Sequence, residues 1–273
     1  MKHTISELDS ISRRIRGKLV ELSASRRTPH LGSSLSCVDI LIAAYWEALA
    51  VDPARPADPN RDRFILSKGH AATTLYVTLW LKGFFGDDIL NSYATPGGTL
   101  PEHPVLGSAP GIEVTSGSLG HGLPMGLGMA LAGKIRKQKY RVFVLMSDGE
   151  CNEGSVWEAA MLAPAHKLEN LVAIVDFNRW QATGRSEQIT AISPLKDKFQ
   201  AFGWSAHDLD GHDIAQLSAT LKNVPDRSGK PVAIIAHTVK GKGISFMEDD
   251  NNWHYRIPSA DEVKLALQEL QLL

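Results

Sequence analysis

Cysteine is scarce: only Cys37 and Cys151 occur in 273 residues. Two thiols are too few for a disulfide framework, and they point to a reducing, cytoplasmic setting. No apolar run approaches the roughly 20 residues of a helical membrane span. A surplus of either charge is also missing, since 29 Lys and Arg against 30 Asp and Glu leave a net charge of −1. Without a basic tract, neither nucleic acid nor an anionic membrane surface is an expected partner. The N-terminus lacks the continuous apolar stretch of a signal peptide; Ile5, Leu8, Ile11, Ile15, Leu19 and Leu22 instead recur at helical spacing among charges. Repeats and low-complexity tracts are absent as well. What is present, a 43% hydrophobic content, can bury a substantial core, and one α/β domain over residues 1–273 is expected.

Helical and strand-like segments alternate along the chain, the signature of a doubly wound, mostly parallel sheet with helices on both faces. The first helix ends near the Arg26-Arg27-Thr28-Pro29-His30 loop, and Cys37 to Leu49 reads as a second, buried helix. Asp52 to Arg61 is loop, and Phe64 to Leu66 is a short strand that feeds the Gly69-His70 turn and an apolar helix up to Leu81. Thr95 to Gly111, with four Pro and four Gly, is an irregular segment of a length that is usually functional or disordered. Helix Leu123 to Arg136 follows, and later a strand from Phe199 to Leu209, a helix from Ile214 to Leu221 and a strand from Val232 to Val239. The tail from Lys240 is a loop closing in a short helix from Ser259.

The most informative stretch lies between. Val142 to Met146 is β-branched enough for a buried strand and delivers Asp148 and Gly149 at its C-terminal end. A helix carrying Val156, Ala159, Ala160, Leu162 and Ala163 leads to a second strand, Leu171 to Val175, which sets down Asp176 and Asn178. That edge is where open parallel sheets bind ligands. Mg²⁺ takes oxygen ligands and commonly binds through one or two carboxylates plus substrate phosphates, so Asp148 and the Asn178 amide oxygen suit it. Gly149 lets a phosphate approach the backbone near a helix start. An Asp-Gly turn alone would mark only an ordinary strand end; the paired spacing argues for a metal and diphosphate site.

Ser147-Asp148-Gly149, with Asn178 closing the next strand, resembles the thiamine diphosphate motif, and Glu150-Cys-Asn-Glu153-Gly-Ser-Val-Trp-Glu158-Ala-Ala resembles its version in the transketolase family. The likeness extends through Pro29-His30-Leu-Gly, Ser67-Lys-Gly-His70-Ala, Leu100-Pro-Glu-His103-Pro, Gly111-Ile-Glu-Val-Thr-Ser-Gly117-Ser-Leu119-Gly-His-Gly and Trp253-His254, nearly the whole chain. It departs at Ser147, where the family usually has Gly before the Asp, and over Arg179-Trp180-Gln181-Ala182, where a Gly commonly follows the metal-binding Asn. The resemblance implies a diphosphate-binding domain that holds thiamine diphosphate and Mg²⁺, with Ca²⁺ or Mn²⁺ as substitutes. Metal ligands would be Asp148, Asn178 and the Trp180 backbone carbonyl; cofactor contacts would come from Gly117, Leu119, Asp148, Gly149, Glu150, Asn178 and His70.

Of ten histidines, His3, His166, His207, His212 and His237 have no motif around them and read as structural or solvated, and His121 is ambiguous. His30, His70, His103 and His254 fall on family motifs. The resemblance implies that they bind the donor's first-carbon hydroxyl and carbonyl oxygen and move protons as a carbon–carbon bond breaks. Glu153 and Glu158 suit helix N-terminal acids, while the resemblance places Glu153 at a contact between cofactor domains. The glycines from Gly117 to Gly128 miss the spacing of a dinucleotide fingerprint; Gly126 and Gly128 read as helix-packing residues. Full-length relatives continue into a pyrimidine-binding domain, whose Glu activates the cofactor, and a third domain. The expectation is therefore the N-terminal half of a split transketolase, transferring a two-carbon ketol unit between sugars or sugar phosphates only with a separate C-terminal subunit, two copies of each. Other thiamine diphosphate enzymes, such as the decarboxylating component of 2-oxo acid dehydrogenases or deoxyxylulose phosphate synthase, or an idle protein that only binds the cofactor, are the alternatives; the four histidines argue against them.

Overall fold

The computed structural model describes residues 2–273. Five strands, β1 (Arg63–Leu66), β2 (Val142–Ser147), β3 (Leu171–Phe177), β4 (Ser205–Asp210) and β5 (Val232–His237), form one sheet in the order β1-β2-β3-β5-β4. Every pairing is parallel. The helices are α1 (Ile5–Arg26), α2 (Leu31–Ser36), α3 (Val38–Ile42), α4 (Ala72–Lys82), α5 (Asp87–Asn91), α6 (Gly122–Ile135), α7 (Gly154–Ala165), α8 (Ser186–Ile189), α9 (Leu195–Ala201), α10 (Ile214–Lys222) and α11 (Ala260–Glu269). None is long and apolar enough to cross a membrane.

β2 and β3 are buried at every residue, the condition under which a strand needs a continuous apolar run rather than alternation. Successive side chains still serve opposite layers. Val172 and Ile174 join the core under α1, α3, α4 and α10, whereas Ala173 and Val175 join the core under α6, α7 and α9. Capping boxes fix the start of α1, through Thr4 and Glu7, and of α11, through Ser259 and Glu262.

Three expectations change. Cys37 to Leu49 is not one regular helix: α3 stops at Ile42 and continues as a π-helix over Ala43–Ala48, all six residues of which are buried. The wider turn lets the neighbouring Tyr45, Trp46 and Glu47 all turn inward, with Glu47 accepting from the Lys2 and His3 backbone and from Lys222. Phe199 to Leu209 is not one strand either. Phe199 belongs to α9, Gly203 turns the chain at φ +100°, and β4 is an edge strand of which only Ala206 is buried. Gly128 does not serve packing: a Cβ there would meet nothing within 4 Å.

Gly126 does. Its added Cβ would come 2.5 Å from Val144 Cγ2 on β2, a stiff side chain in a fully buried strand. Gly126→Ala should therefore destabilise the protein by about 1–3 kcal/mol through overpacking. Gly128→Ala should instead stabilise it by about 0.5–1 kcal/mol through helix propensity alone. Thermal melts of both variants, expected to shift in opposite directions, check this.

Candidate active site

The C-terminal ends of β2 and β3 are brought level by the pairing of Ser147 with Asp176. Asp148 follows β2 and is fully buried; its two oxygens accept from the Gly149 amide at 2.9 Å and the Ser186 hydroxyl at 2.8 Å. No cation pairs with it among the described residues. Burial pushes its carboxyl up to about 6, against the pull of the Ser186 hydrogen bond, with nearby Asp176 adding to the rise. Asn178, also buried, accepts the Trp180 amide at 3.0 Å on Oδ1. Gln181 lies against Gly149, and its buried Nε2 has no hydrogen-bond partner. A buried carboxylate without a counter-charge, an amide oxygen beside it and an unused donor at the Gly149 turn together fit a divalent cation carrying a diphosphate. Among the described residues no group of three or more His, Cys, Asp or Glu side chains is placed to hold a metal; a set with a single carboxylate does not require one.

Arg179, next to Asn178, opens the stretch that departs from the family pattern. It sits at φ +66°, the left-handed region where Gly is free and an L residue pays about 1–2 kcal/mol. From there the chain doubles back, Trp180 bridging to Arg185. The Trp180 ring stacks on the Arg185 guanidinium at 3.7 Å, and both side chains bond Asp249. This turn brings Ser186 to Asp148. A cavity of about 810 Å³ opens beside it, lined by Asn178, Arg179, Arg185, Asp208, His237 and Lys242 among others.

Glu150 is held behind the glycine loop. Its carboxylate accepts from the Ser67 hydroxyl, from Gly120 N at 2.9 Å and from Ser147 N at 3.3 Å, so it ties three segments together. Ser67 Oγ also accepts from Gly122 N at 3.0 Å. Gly117 adopts φ +140°, and a Cβ on it would lie 2.7 Å from the His103 ring; this position must be Gly for His103 to approach. Leu119 lies half-buried in the same loop. Glu153 and Glu158 are exposed at the start of α7.

The four motif histidines, separated by more than 200 residues in sequence, meet. Ring centroids lie 5.0 Å apart for His30 and His254, 5.4 Å for His30 and His70, 5.9 Å for His70 and His254 and 6.4 Å for His30 and His103. His30 caps α2 in a left-handed conformation at φ +70° and donates its backbone N–H to the His254 carbonyl at 2.7 Å. Burial, then the charges of its neighbours, lowers His30 to about 4 and His254 to about 3, and pushes His70 well below the usual range. These imidazoles are neutral at pH 7. The remaining histidines lie elsewhere: His3 on Glu47, His212 on Asp39, His237 on Asp208, His207 near Ser205, and His121 and His166 exposed.

Two residues of the site escape a reading of the sequence. Lys68, fully buried, pairs with Asp176, and Lys240, fully buried, reaches His254 Nδ1 at 3.0 Å. A lysine inside a Ser-Lys-Gly-His motif is the only signal that could have found the first. The second sits where the sequence reads as loop.

The chain matches the family model described as transketolase, thiamine diphosphate binding domain, over residues 10–272. It is 40% identical over 266 residues to one subunit of the apulose-4-phosphate transketolase of Phocaeicola vulgatus, covering 97% of this chain and 94% of that one. To the 6-deoxy-6-sulfo-D-fructose transketolase subunit SqwG of Clostridium sp. strain MSTE9 it is 38% identical over 242 residues, covering 89% and 88%. A solved transketolase variant from Pichia stipitis superposes with a TM-score of 0.89 at 27% identity, over 98% of this chain and 41% of that one. The chain therefore spans about two-fifths of that transketolase's length.

The neutral histidines predict an acid sensitivity. Their folded pKa values lie below the ordinary 6.5, so the unfolded chain binds protons more readily; the stability they contribute is present above about 6.5 and is lost as pH falls toward 4. Melting temperature should drop from pH 7 to pH 5. His254→Gln, which cannot protonate, should lessen that drop by about 1 kcal/mol or more, roughly 2–4 °C, in parallel melts at the two pH values.

Proposed function

Because this chain belongs to the transketolase family as its thiamine diphosphate-binding domain, we propose that it is the N-terminal subunit of a two-chain transketolase that moves a two-carbon ketol unit from a ketose to an aldose. The observation that carries this is the convergence, on one sheet edge, of a buried carboxylate lacking a cation with four clustered histidines. In this reading the whole chain is one diphosphate-binding domain working in the cytoplasm, which suits its two buried free thiols.

Asp148, Asn178 and the Trp180 carbonyl would hold Mg²⁺, and Gly117, Leu119, Gly149, His70 and Gln181 would line the cofactor. Thiamine diphosphate supplies the carbanion and electron sink that breaking a ketose carbon–carbon bond needs. The chain supplies the surroundings. Glu150, whose carboxylate is taken up by donors from Ser67, Gly120 and Ser147, fixes the glycine loop rather than reaching outward. His30, His103 and His254 would donate N–H to the sugar's hydroxyl and carbonyl oxygens, where negative charge develops. The neutral imidazoles of His30 and His254 suit this, because each offers one donor and one acceptor and can pass a proton at neutral pH.

The naming of the relatives as transketolase subunits supports a separate partner chain, which in this reading would carry the pyrimidine-binding and C-terminal domains. Those relatives' names also suggest a donor outside the common sugar phosphates, so a ketose screen should include 4-phosphorylated and 6-sulfonated ketoses.

Two outcomes are expected. Asp148→Asn should weaken thiamine diphosphate binding to the assembled enzyme by about 10²-fold or more, and Asn178→Ala should do so less, by calorimetric titration with Mg²⁺; a group orienting or binding a metal typically matters on that order. Unchanged affinity would remove Asp148 from the site. Ketol transfer should be absent with this chain alone and appear on adding the candidate partner; full activity from the single chain would overturn the split-enzyme reading.

A further inference from the structure

We infer that Lys240 is a positioning residue that holds His254, a member of the histidine cluster, in the tautomer with its proton on Nε2, leaving that nitrogen as a donor. The tautomer follows from the Lys240–His254 hydrogen bond with the charge states of the two groups; its use on a sugar oxygen rests on the transketolase reading above.

Lys240 is buried completely just beyond β5. Its stem passes over Gly32, where a Cβ would stand 3.1 Å from Lys240 Cγ and 3.3 Å from Cε. The backbone is clamped too, its carbonyl accepting from Asp249 N at 2.8 Å and the next amide, Gly241, donating to Gly32 O at 3.0 Å. The ammonium therefore has little freedom. It donates to Asn251 Oδ1 at 2.6 Å and meets His254 Nδ1 at 3.0 Å, while Asn251 is itself fixed by donating to Ala182 O at 3.1 Å.

An ammonium has three donors and no lone pair. Where it meets an imidazole nitrogen, that nitrogen must be the acceptor. His254 is held neutral by burial and by the charges of Lys240, His30 and Lys68, and a neutral imidazole carries one proton, which must then lie on Nε2. Lys240 keeps its own charge at neutral pH: burial and Lys68 lower it to about 8, with Asp148, Asp176 and Asp250 opposing. The His254 ring lies 5.0 Å from His30 and 5.9 Å from His70, and its carbonyl holds His30 N. Lys240 thus sets both the position and the hydrogen-bonding polarity of one wall of the cluster. Nothing else among the described residues bonds the His254 ring.

Two-bond ¹H–¹⁵N correlation spectra of the full chain, labelled at histidine nitrogen and recorded at pH 6.5 to 7, read the tautomer directly, and His254→Gln assigns the resonance. The wild type should show an unprotonated Nδ1 and a protonated Nε2. In Lys240→Met, folded by circular dichroism, the pattern should move toward the other tautomer or a mixture. A wild-type spectrum with the proton on Nδ1 overturns the inference, as does an unchanged pattern in Lys240→Met; should that variant fail to fold, the wild-type spectrum alone decides. In the assembled enzyme the same substitution should lower kcat about 10- to 100-fold with thiamine diphosphate affinity within two-fold. A fall in affinity with kcat retained would overturn the positioning role, whereas an enzyme lacking ketol transfer altogether would count against the functional reading and leave the spectra as the test of the tautomer.

Discussion

The buried ion pair between Lys68 and Asp176 sets the arrangement of this site. Lys68 stands in the turn after β1 and Asp176 on β3, so the pair reaches across the end of β2, and both side chains are fully buried. Burial works against the charge on Lys68, and the Asp176 carboxylate, together with Cys37 and Asp148, more than offsets it, raising its pKa. Such a pair is not a strong source of stability, because desolvation consumes most of the attraction, but losing either partner would strand a charge. Its value is positional. Lys68 also donates to Ser33 O at 2.9 Å, and Asp176 accepts from Ser36 at 2.6 Å and from Thr238. The pair thereby fixes α2, which His30 caps, and the exit of β5, which leads to Lys240 and on to His254.

The same pair decides which carboxylate is free. Asp176 and Asp148 sit on adjacent strand ends, and two ionised carboxylates there would repel. Asp176 is neutralised internally, Oδ2 accepting from Ser36 and the Lys68 ammonium and Oδ1 from Thr238. Asp148 receives only an amide and a hydroxyl, leaving it as the group that gains from an external cation. Meanwhile the charges of Lys68 and Lys240 help to keep His30, His70 and His254 unprotonated. One edge thus presents an unpaired anion and a group of neutral imidazoles, the arrangement that the proposed metal and sugar contacts would use, and the two nearby lysines are committed to partners. Left-handed residues mark both regions, His30 beside the histidines and Arg179 beside Asn178, a form of strain that concentrates where function constrains the backbone.

Much of this is legible in the sequence because it depends on local pattern. The continuous apolar runs of β2 and β3 announce buried parallel strands, and their polar endings locate the edge where Asp148 and Asn178 emerge. Family motifs single out the four histidines, which periodicity alone does not distinguish from the other six. What stays hidden depends on three-dimensional compensation. The π-helical turns of Ala43–Ala48 come from tertiary burial of adjacent large residues, and α9 with β4 reads as one apolar stretch until Gly203 is seen to break it. The roles of Lys68, Lys240 and Asp176 are hidden because a buried charge is recognisable only with its partner in view. Ser186, eight residues beyond Asn178, is likewise ordinary in sequence and becomes part of the site only through the turn that returns it to Asp148.

The ends of β2 and β3 are proposed to hold a divalent cation together with a diphosphate. Mn²⁺ in place of Mg²⁺ makes this directly measurable, since electron–nuclear double resonance on the assembled enzyme with thiamine diphosphate reports phosphorus nuclei bonded through oxygen to the metal. Strong ³¹P couplings are expected in the wild type and should disappear with Asp148→Asn. Bound Mn²⁺ without phosphorus coupling, or coupling that persists unchanged in the variant, would contradict this proposal.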